Sequence, residues 1–227
     1  MGEEVTTNAV VGGTGAEGSA IALRLGHAGY RVIIGTRDTS KAARISQELN
    51  GILGRAAIQF ATNDEAARAA QLVILTVPYN VQISIVKALG PALEHKILID
   101  ATVPLLPPKV SSVQLPSGGS AVAIVQQTLG DKVRVILAFQ NVAAHKLRDL
   151  DADIGCDVLV CGDNAAARAL TLELIAKMRL RGLDAGPICN SAAAETLTSI
   201  LIFLNRKYKV QGSGIKITGL DDTAAAR

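Results

Sequence analysis

The sequence predicts an α/β fold in which a Rossmann-type, doubly wound parallel sheet is followed by a small C-terminal α/β lobe. Short runs rich in valine and isoleucine alternate with longer stretches of helical periodicity, as in parallel βαβ units. A glycine-rich turn, Gly13 to Gly18, follows the first such run and opens a helix. A proline- and glycine-rich segment, Ala101 to Ser120, forms a long loop after a later strand, at the edge where open α/β sheets hold ligands.

The individual elements follow from this alternation. The predicted strands are Ala9–Val11, Arg31–Gly35, Leu72–Val77, Lys96–Asp100, Val133–Ala138 and Val158–Cys161, with a weaker one at Ala56–Phe60. The predicted helices of this part are Ala16–Ala28, Ser40–Leu49, Asp64–Ala70, Val81–Leu89 and Ser120–Leu129. Ser40 and Asn63 stand where helix N-caps belong, and Gly29, Gly51 and Gly90 stand where left-handed C-caps belong.

The pattern changes after about Asp163. A helix over Asn164–Met178, a turn at Asp184–Pro187 and a helix over Ser191–Tyr208 complete the chain. This tail is too short for a core of its own. We therefore expect a Rossmann domain over residues 1–150 and a small lobe over residues 151–227 that packs on the sheet.

The composition argues against several classes of protein. The longest apolar runs, such as Leu72 to Val77, are strand-sized and far short of the ~20 residues of a membrane span. Met1 to Asn8 carries two glutamates and no secretory pattern, so the cytoplasm is the expected compartment. A net charge of +3 and the lack of tryptophan disfavour nucleic acid as a partner. Cys156, Cys161 and Cys189 have no paired spacing, which favours small apolar residues over a disulfide or a metal site.

The turn from Gly13 to Gly18 fits the G-x-G-x-x-G pattern of dinucleotide-binding proteins. In that pattern Gly13 permits the tight turn, Gly15 lets the backbone approach a pyrophosphate, and Gly18 allows the helix to pack closely on the strand. The phosphates would then lie on free N–H groups at the positive end of the helix.

The end of the second strand indicates which nucleotide is bound. An acidic residue there would accept hydrogen bonds from an unphosphorylated ribose, but the position holds Thr36, followed by Arg37 and, one helical turn later, Lys41. A hydroxyl, a guanidinium and an ammonium favour the 2′-phosphate of NADP(H) over NAD(H). The negative charge of Asp38 disfavours a phosphate at this place, and we expect its side chain to face solvent or to cap the helix. The alternative is that Arg37 and Lys41 are ordinary surface charges.

The ends of the later strands offer few ionisable groups for chemistry. The segments Thr76-Val77-Pro78-Tyr79, Ala101-Thr102-Val103-Pro104 and Phe139-Gln140-Asn141-Val142 provide apolar walls and amides. No catalytic triad, carboxylate pair or metal cluster is visible, and His145 is read as a solvated helix residue. Such a pocket suits hydride transfer between two organic cofactors, which needs positioning but no catalytic acid or base.

Several motifs occur in an order that matches a known family. They are Val10-Val11-Gly12-Gly13-Thr14-Gly15, Gly35-Thr36-Arg37, Val73-Ile74-Leu75-Thr76-Val77-Pro78, Val160-Cys161-Gly162-Asp163, Leu183-Asp184-Ala185-Gly186-Pro187 and Gly214-Ile215-Lys216. With them the chain resembles the NADPH-dependent reductases of coenzyme F420, the reduced coenzyme F420:NADP oxidoreductases, over almost its whole length. The resemblance implies a homodimer that moves hydride reversibly between NADP(H) and the deazaflavin coenzyme F420.

The resemblance also implies roles for individual residues. The stretch from Thr14 through Ala16 to Glu17 would contact the cofactor phosphates, and Thr36, Arg37 and Lys41 would hold the 2′-phosphate. The residues implied around the nicotinamide are Val77, Pro78, Tyr79, Ile83, Val103 and Ala144.

The acceptor side departs from the family at two positions. Family members often carry a histidine near the deazaflavin where this chain has Gln140, next to Asn141, and some carry an apolar residue in place of Ser213. Gln140 could donate a hydrogen bond to a ring carbonyl, or the acceptor could be another molecule. Asn190 and the helix after it would form the floor of the acceptor pocket, or the helix could be a dimer contact, because Leu197, Ile200, Leu201 and Leu204 repeat at helical spacing.

Three functions remain open on the sequence. The first is hydride transfer between NADPH and coenzyme F420. The second is an NADPH-dependent reductase of another flavin-like, carbonyl or imine substrate on the same fold. The third is a binding module that senses the ratio of NADPH to NADP without turnover.

Overall fold

The computed structural model describes residues 7–220 of the chain. The expectation that the chain starts without a secretory signal depends mainly on residues 1–6 and lies outside the described residues, as do residues 221–227 of the expected C-terminal lobe.

A six-stranded parallel sheet forms the centre of the molecule. Its strands are β1 (Thr7–Val11), β2 (Arg31–Thr36), β3 (Ile58–Thr62), β4 (Leu72–Leu75), β5 (Ile97–Asp100) and β6 (Arg134–Leu137), in the spatial order β3-β2-β1-β4-β5-β6. The strand order reverses between β1 and β4, which is the switch point where doubly wound sheets bind nucleotides. The Rossmann-type fold class is thus confirmed.

Helices cover both faces of this sheet. They are α1 (Ala16–His27), α2 (Thr39–Leu53), α3 (Asn63–Ala69), α4 (Tyr79–Leu93), α5 (Ala121–Leu129) and the short α6 (Ala144–Arg148). The central strands β4 and β5 are buried at every position and consist mainly of aliphatic residues, whereas the edge strand β3 is mostly exposed. Residues 101–120 contain no helix or strand, as the prolines predict.

The C-terminal part adds a two-stranded parallel sheet and two helices. Its elements are β7 (Asp157–Val160), α7 (Ala165–Lys177), β8 (Arg181–Asp184) and α8 (Ser191–Tyr208). A single antiparallel bridge between Leu137 and Cys161 joins it to the large sheet. Strand β8 was not predicted, because the sequence Arg-Gly-Leu-Asp lacks the β-branched alternation that marks a strand.

A buried arginine ties α1 to the C-terminal part. Arg24 is 2% exposed. Its guanidinium donates to the carbonyl oxygens of Leu147 at 2.7 Å, Met178 at 3.0 Å, Lys146 at 3.2 Å and Asp149 at 2.6 Å. These carbonyls belong to the ends of α6 and α7, where helix carbonyls lack partners within their own helix. One side chain therefore satisfies two helix ends.

Some predicted caps and helix ends were wrong. Asp38 rather than Ser40 caps α2, through a hydrogen bond from the Lys41 N–H, and Thr62 rather than Asn63 caps α3. In each case the helix begins upstream of the predicted cap, at Thr39 and at Asn63, and Thr62 with Glu65 forms a reciprocal capping box.

Two of the predicted C-cap glycines were also wrong. Gly51 and Gly90 lie inside α2 and α4, which continue to Leu53 and Leu93. Gly29, at φ +102°, does follow a helix end in the left-handed region, as expected.

The three cysteines are free thiols; Cys156 and Cys161 are buried, whereas Cys189 is exposed. The small apolar role expected for all three therefore fits only the first two. By length and composition, one segment of the described residues, Ile188–Tyr208, could span a membrane, and 33% of its most apolar stretch is buried in the protein. Because core helices pass the same test, the expected absence of a membrane span stays a prediction.

Candidate functional site

A cavity of about 820 Å³ opens at the carboxyl ends of the large sheet's strands. It extends from the glycine turn after β1 and the end of β2, past the loops after β4 and β5, to the segment after β6. Its size falls within the range of cofactor-binding pockets, and its position is the switch point of the sheet.

The glycine turn brings α1 against the neighbouring strand. Gly12, at φ +79°, supplies the left-handed residue of the turn, a role that the sequence interpretation gave to Gly13. A Cβ on Gly18 would lie 2.5 Å from Thr76 Oγ1 and 2.8 Å from the Gly12 carbonyl oxygen, so only glycine fits. The N-cap of α1 is Gly15, which provides no side-chain cap, so the first N–H groups of the helix are available to an anion.

The sequence-predicted turn residues divide into two groups. Thr14, Gly15 and Glu17 line the cavity, whereas Gly13, Ala16 and Gly18 do not. Gly13 and Gly18 are buried behind the turn and act through packing. Ala16 is exposed at the start of the helix.

Glu17 is an unusual side chain for this position. Its Oε1 is buried, and within the described residues it has no hydrogen-bond partner. Burial raises the pKa of the carboxyl to about 8. At neutral pH this residue is therefore mostly the neutral acid.

The residues after β2 form a cationic corner of the cavity, made of Arg37 and Lys41. Both side chains are exposed, and neither pairs with a carboxylate within residues 7–220. Thr36 also lines the cavity, but its hydroxyl donates to the Asp38 carbonyl oxygen at 3.1 Å and accepts from the Asp38 N–H at 3.0 Å. The Asp38 carboxylate caps α2 by accepting a hydrogen bond from the Lys41 N–H, which is one of the two roles expected for it from the sequence.

Apolar side chains line the middle of the cavity. Among the residues implied around the nicotinamide, five are found there: Val77, Pro78, Tyr79, Val103 and Ala144. Ile83 is not. Val81 and Ile85, two positions to either side on α4, line the cavity instead, while Ile83 packs against the core.

Gln140 lies at the end of the cavity away from the cationic corner. Its side chain is 6% exposed, and its Nε2 donates to the Asp100 carbonyl oxygen at 2.6 Å. The backbone carbonyl oxygen of Gln140 accepts a hydrogen bond from the Thr198 hydroxyl of α8 at 2.8 Å. Its Oε1 is buried and has no partner among the described residues. The atom without a partner is thus an acceptor, and because Nε2 has a second N–H, the donor role that the sequence interpretation proposed stays a prediction.

A buried carboxyl supports this end of the cavity. Asp100 is fully buried; its Oδ1 accepts from the Thr102 N–H at 2.8 Å and its Oδ2 from Gln82 Nε2 at 2.6 Å. Burial raises the pKa of Asp100 to about 6, with hydrogen bonds from Thr102 and Gln82 opposing the shift and Glu195 adding to it.

We expect Asp100→Asn to change how stability depends on pH. Because folding raises the pKa of Asp100, the wild type loses stability as pH rises from about 4 through about 6, by on the order of 3 kcal/mol. Asparagine keeps the acceptor for Thr102 and offers a donor to Gln82, whose Oε1 has no partner. Urea unfolding at pH 4.5 and 7.5 measures the free energy of unfolding of both proteins. The difference in stability between variant and wild type should shift in favour of the variant at pH 7.5. The same difference at both pH values would contradict this prediction.

Three predicted acceptor-side residues lie outside the cavity lining. Asn141 is buried beside it, with its Oδ1 unpaired among the described residues. Asn190 is exposed, and its Nδ2 donates to the Ala185 carbonyl oxygen at 2.7 Å. Ser213 is held to α8 by hydrogen bonds to Asn205 and Leu201. Thr198, not Asn190, is the α8 residue that reaches the cavity.

The sequence interpretation placed Phe139 and Thr102 in wall segments of the pocket without giving either a role, and it missed Asn63, Val81, Ile85 and Thr198 as cavity residues. Phe139 is the most informative, because a bulky residue at φ +81° occupies a region that non-glycine residues avoid, and such strain often marks a functional site. Asn63 and Thr102 also line the cavity. Their signal was their place directly after a strand, at the edge where the nucleotide was expected.

Comparison with known proteins agrees with this geometry. A family model described as NADP oxidoreductase, coenzyme F420-dependent, matches residues 8–104. F420-dependent NADP reductases from Methanothermobacter marburgensis and Methanocaldococcus jannaschii are 38% and 36% identical to the chain. Each alignment covers 94% of this chain, and 99% and 98% of the respective relative. The chain belongs to the F420-dependent NADP reductase family.

A solved structure supports the same family membership. A crystal structure from Arthrobacter sp., provisionally assigned as an F420-dependent NADP reductase, is 25% identical and has a TM-score of 0.79. The match covers 95% of this chain and all of that one. The family resemblance noted on the sequence motifs is therefore confirmed.

Proposed function

We propose that this protein is an oxidoreductase that transfers hydride between NADP(H) and coenzyme F420. The observation that carries the proposal is one continuous cavity that joins an anion-binding helix end and a cationic corner to an apolar chamber closed by Gln140. The first two features suit an NADP molecule, and the third suits a flat ring system beside its nicotinamide.

The residues present fit this nucleotide. Free N–H groups at the start of α1 would hold the pyrophosphate, and Arg37 and Lys41 would hold the 2′-phosphate. Val77, Tyr79 and Val103 would form the walls around the nicotinamide. When bound, the two ring systems supply the hydride chemistry, and the protein orients them and excludes water.

Gln140 gives the acceptor pocket its polarity. With Nε2 committed to the Asp100 carbonyl oxygen, Oε1 is free to accept a hydrogen bond from a ring N–H. A deazaflavin ring carries such a group beside its carbonyls. No side chain is required as acid or base for the hydride transfer, which depends on bringing the reacting carbons to about 3–3.5 Å.

An absorbance assay tests this function. We expect NADPH to bleach the visible band of oxidised coenzyme F420 in the presence of the protein, without any metal. If F420 is not reduced while imines, carbonyls or flavins are, the activity is that of another NADPH-dependent reductase. If calorimetry shows nucleotide binding but no acceptor is turned over, the protein is a redox-sensing module.

We also propose that two copies associate through α8. Ile200 and Phe203 are 44% and 52% exposed and lie three residues apart on this helix. Arg206 of the same helix donates a hydrogen bond from Nη1 to Ser111 Oγ at 3.3 Å, and this contact holds the loop of residues 101–120 against α8. The loop exposes two more apolar side chains, Leu106 and Leu115. Apolar side chains of this number favour a protein partner, and a second copy is the partner that the family resemblance implies.

Phe203→Asp is expected to convert the dimer to a monomer, because it would bury a charge in the shared apolar surface. Sedimentation velocity at micromolar concentration measures the change. Glu173→Gln, on the exposed side of α7, should leave the sedimentation coefficient of the dimer unchanged. A wild-type protein that sediments as a monomer would contradict the proposal.

The remaining sequence expectations are part of the same proposal. Residues 1–150 would bind NADP, and residues 151–227 would complete the acceptor pocket through Thr198 of α8. The compartment would be the cytoplasm, where reduced cysteines are stable. The partners would be small redox cofactors, with neither nucleic acid nor membrane involved.

A further inference from the structure

Glu17 stands where a dinucleotide's negative charge is expected. It belongs to the first turn of α1, two residues after the N-cap Gly15, and it lines the same cavity as Thr14 and the cationic corner. Its buried Oε1 has no hydrogen-bond partner within the described part of the chain. An ionised carboxylate there would be poorly solvated and would repel the phosphates of the bound nucleotide.

The surrounding charges do not neutralise a carboxylate at this point. The other ionisable side chains that line the cavity are Arg37, Asp38, Lys41 and Tyr79. On α6, which packs against α1, the ring of His145 lies against Gly212 and is not part of the lining. Burial is the cause of the raised pKa of Glu17, with no charged neighbour contributing.

We propose that Glu17 enters the nucleotide complex as the neutral acid and donates its proton, in a hydrogen bond, to an anionic oxygen of the dinucleotide. Glu17 is then a binding residue whose protonation state decides affinity. This inference depends on the proposed function only in that NADP(H) occupies the cavity.

The expected pH dependence follows from this linkage. Because burial raises the pKa of Glu17 to about 8, most free protein carries the proton at pH 7, half at pH 8 and about a tenth at pH 9. If only the protonated form binds well, the apparent Kd is divided by that fraction. The Kd of NADP should therefore rise about tenfold between pH 7 and pH 9, and binding at pH 8 should take up about half a proton.

Isothermal titration calorimetry tests the inference directly. We would titrate NADP into the full-length protein at pH 7, 8 and 9, and repeat the pH 8 titration in HEPES and in Tris, whose ionisation enthalpies differ. The difference between the two buffers gives the number of protons taken up. At this pH the 2′-phosphate is fully ionised and contributes no protons of its own.

Two variants complete the experiment. Glu17→Gln keeps a neutral donor, so its Kd should change less than about twofold from pH 7 to 9 and its proton uptake should vanish. Glu173→Gln removes an exposed glutamate and should follow the wild type. NADP binding by the wild type without proton uptake, or a Glu17→Gln variant with the pH dependence of the wild type, would overturn this inference and leave the proposed function standing. A wild type that binds no NADP at any of the three pH values would overturn the proposed function as well.

Discussion

Replacing Arg24 with methionine is expected to lower the free energy of unfolding by on the order of 3–5 kcal/mol and the Tm by about 10 °C. Methionine fills much of the space of the aliphatic stem, but it leaves the carbonyl oxygens of Leu147, Met178 and Asp149 buried or poorly hydrated without their donor. Because these carbonyls end α6 and α7, the loss should loosen the junction between α1 and the C-terminal part.

Chemical denaturation and scanning calorimetry measure this effect. Arg24→Lys should lose most of the same stability, because an ammonium cannot reproduce the planar fork that serves four carbonyls. Arg68→Met is the matched control, since the Arg68 side chain forms only an exposed ion pair with Asp64 and its replacement should leave the free energy of unfolding nearly unchanged. An Arg24→Met protein as stable as the Arg68→Met protein would contradict the role assigned to Arg24.

Arg37→Ala is expected to raise the KM for NADPH about tenfold or more while barely changing the KM for NADH. Arg37 lies in the cationic corner at the end of β2, and within the described residues it forms no ion pair that would give it a structural role. Its contribution should therefore depend on the 2′-phosphate, the group that NADH lacks.

Steady-state kinetics with both nucleotides separate this role from a general one. Arg31→Ala is a suitable control, because Arg31 is exposed at the opposite end of the same strand. It should leave both KM values unchanged. Equal losses with NADPH and NADH in Arg37→Ala would mean that the residue supports the fold or the pyrophosphate, and the proposed nucleotide preference would have to be abandoned.

The features that sequence could predict are those that depend on short-range patterns. The six-stranded sheet follows from aliphatic runs along the chain, and α8 begins and ends at the predicted residues because its apolar side chains keep helical spacing between Asn190 and Lys209. The end of the cavity expected to bind the nucleotide could be predicted from the sequence for the same reason. Gly15, Arg37 and Lys41 belong to contiguous motifs whose positions depend only on β1, β2 and the helices that follow them.

The features that sequence could not predict depend on contacts between distant residues. Arg24 lies 123 residues from Leu147, and nothing near Arg24 indicates that it is buried. The pairing of Gln140 with Asp100 orients the glutamine amide and leaves its Oε1 without a partner, and the Asp100 atom is a backbone oxygen with no sequence signature. Helix ends were misplaced where competing caps, such as Asp38 and Ser40, lay within two residues of each other.

The transfer of a labelled hydride tests the central claim most directly. NADPH carrying deuterium at both hydrogen positions of the reactive ring carbon would be incubated with the protein and oxidised coenzyme F420, and the reduced F420 would be analysed by mass spectrometry. If the cavity holds both rings in contact, the product should carry the deuterium, because the hydride never exchanges with water. Reduced F420 without the label, or no reduction of F420 at all, would contradict direct transfer within this cavity.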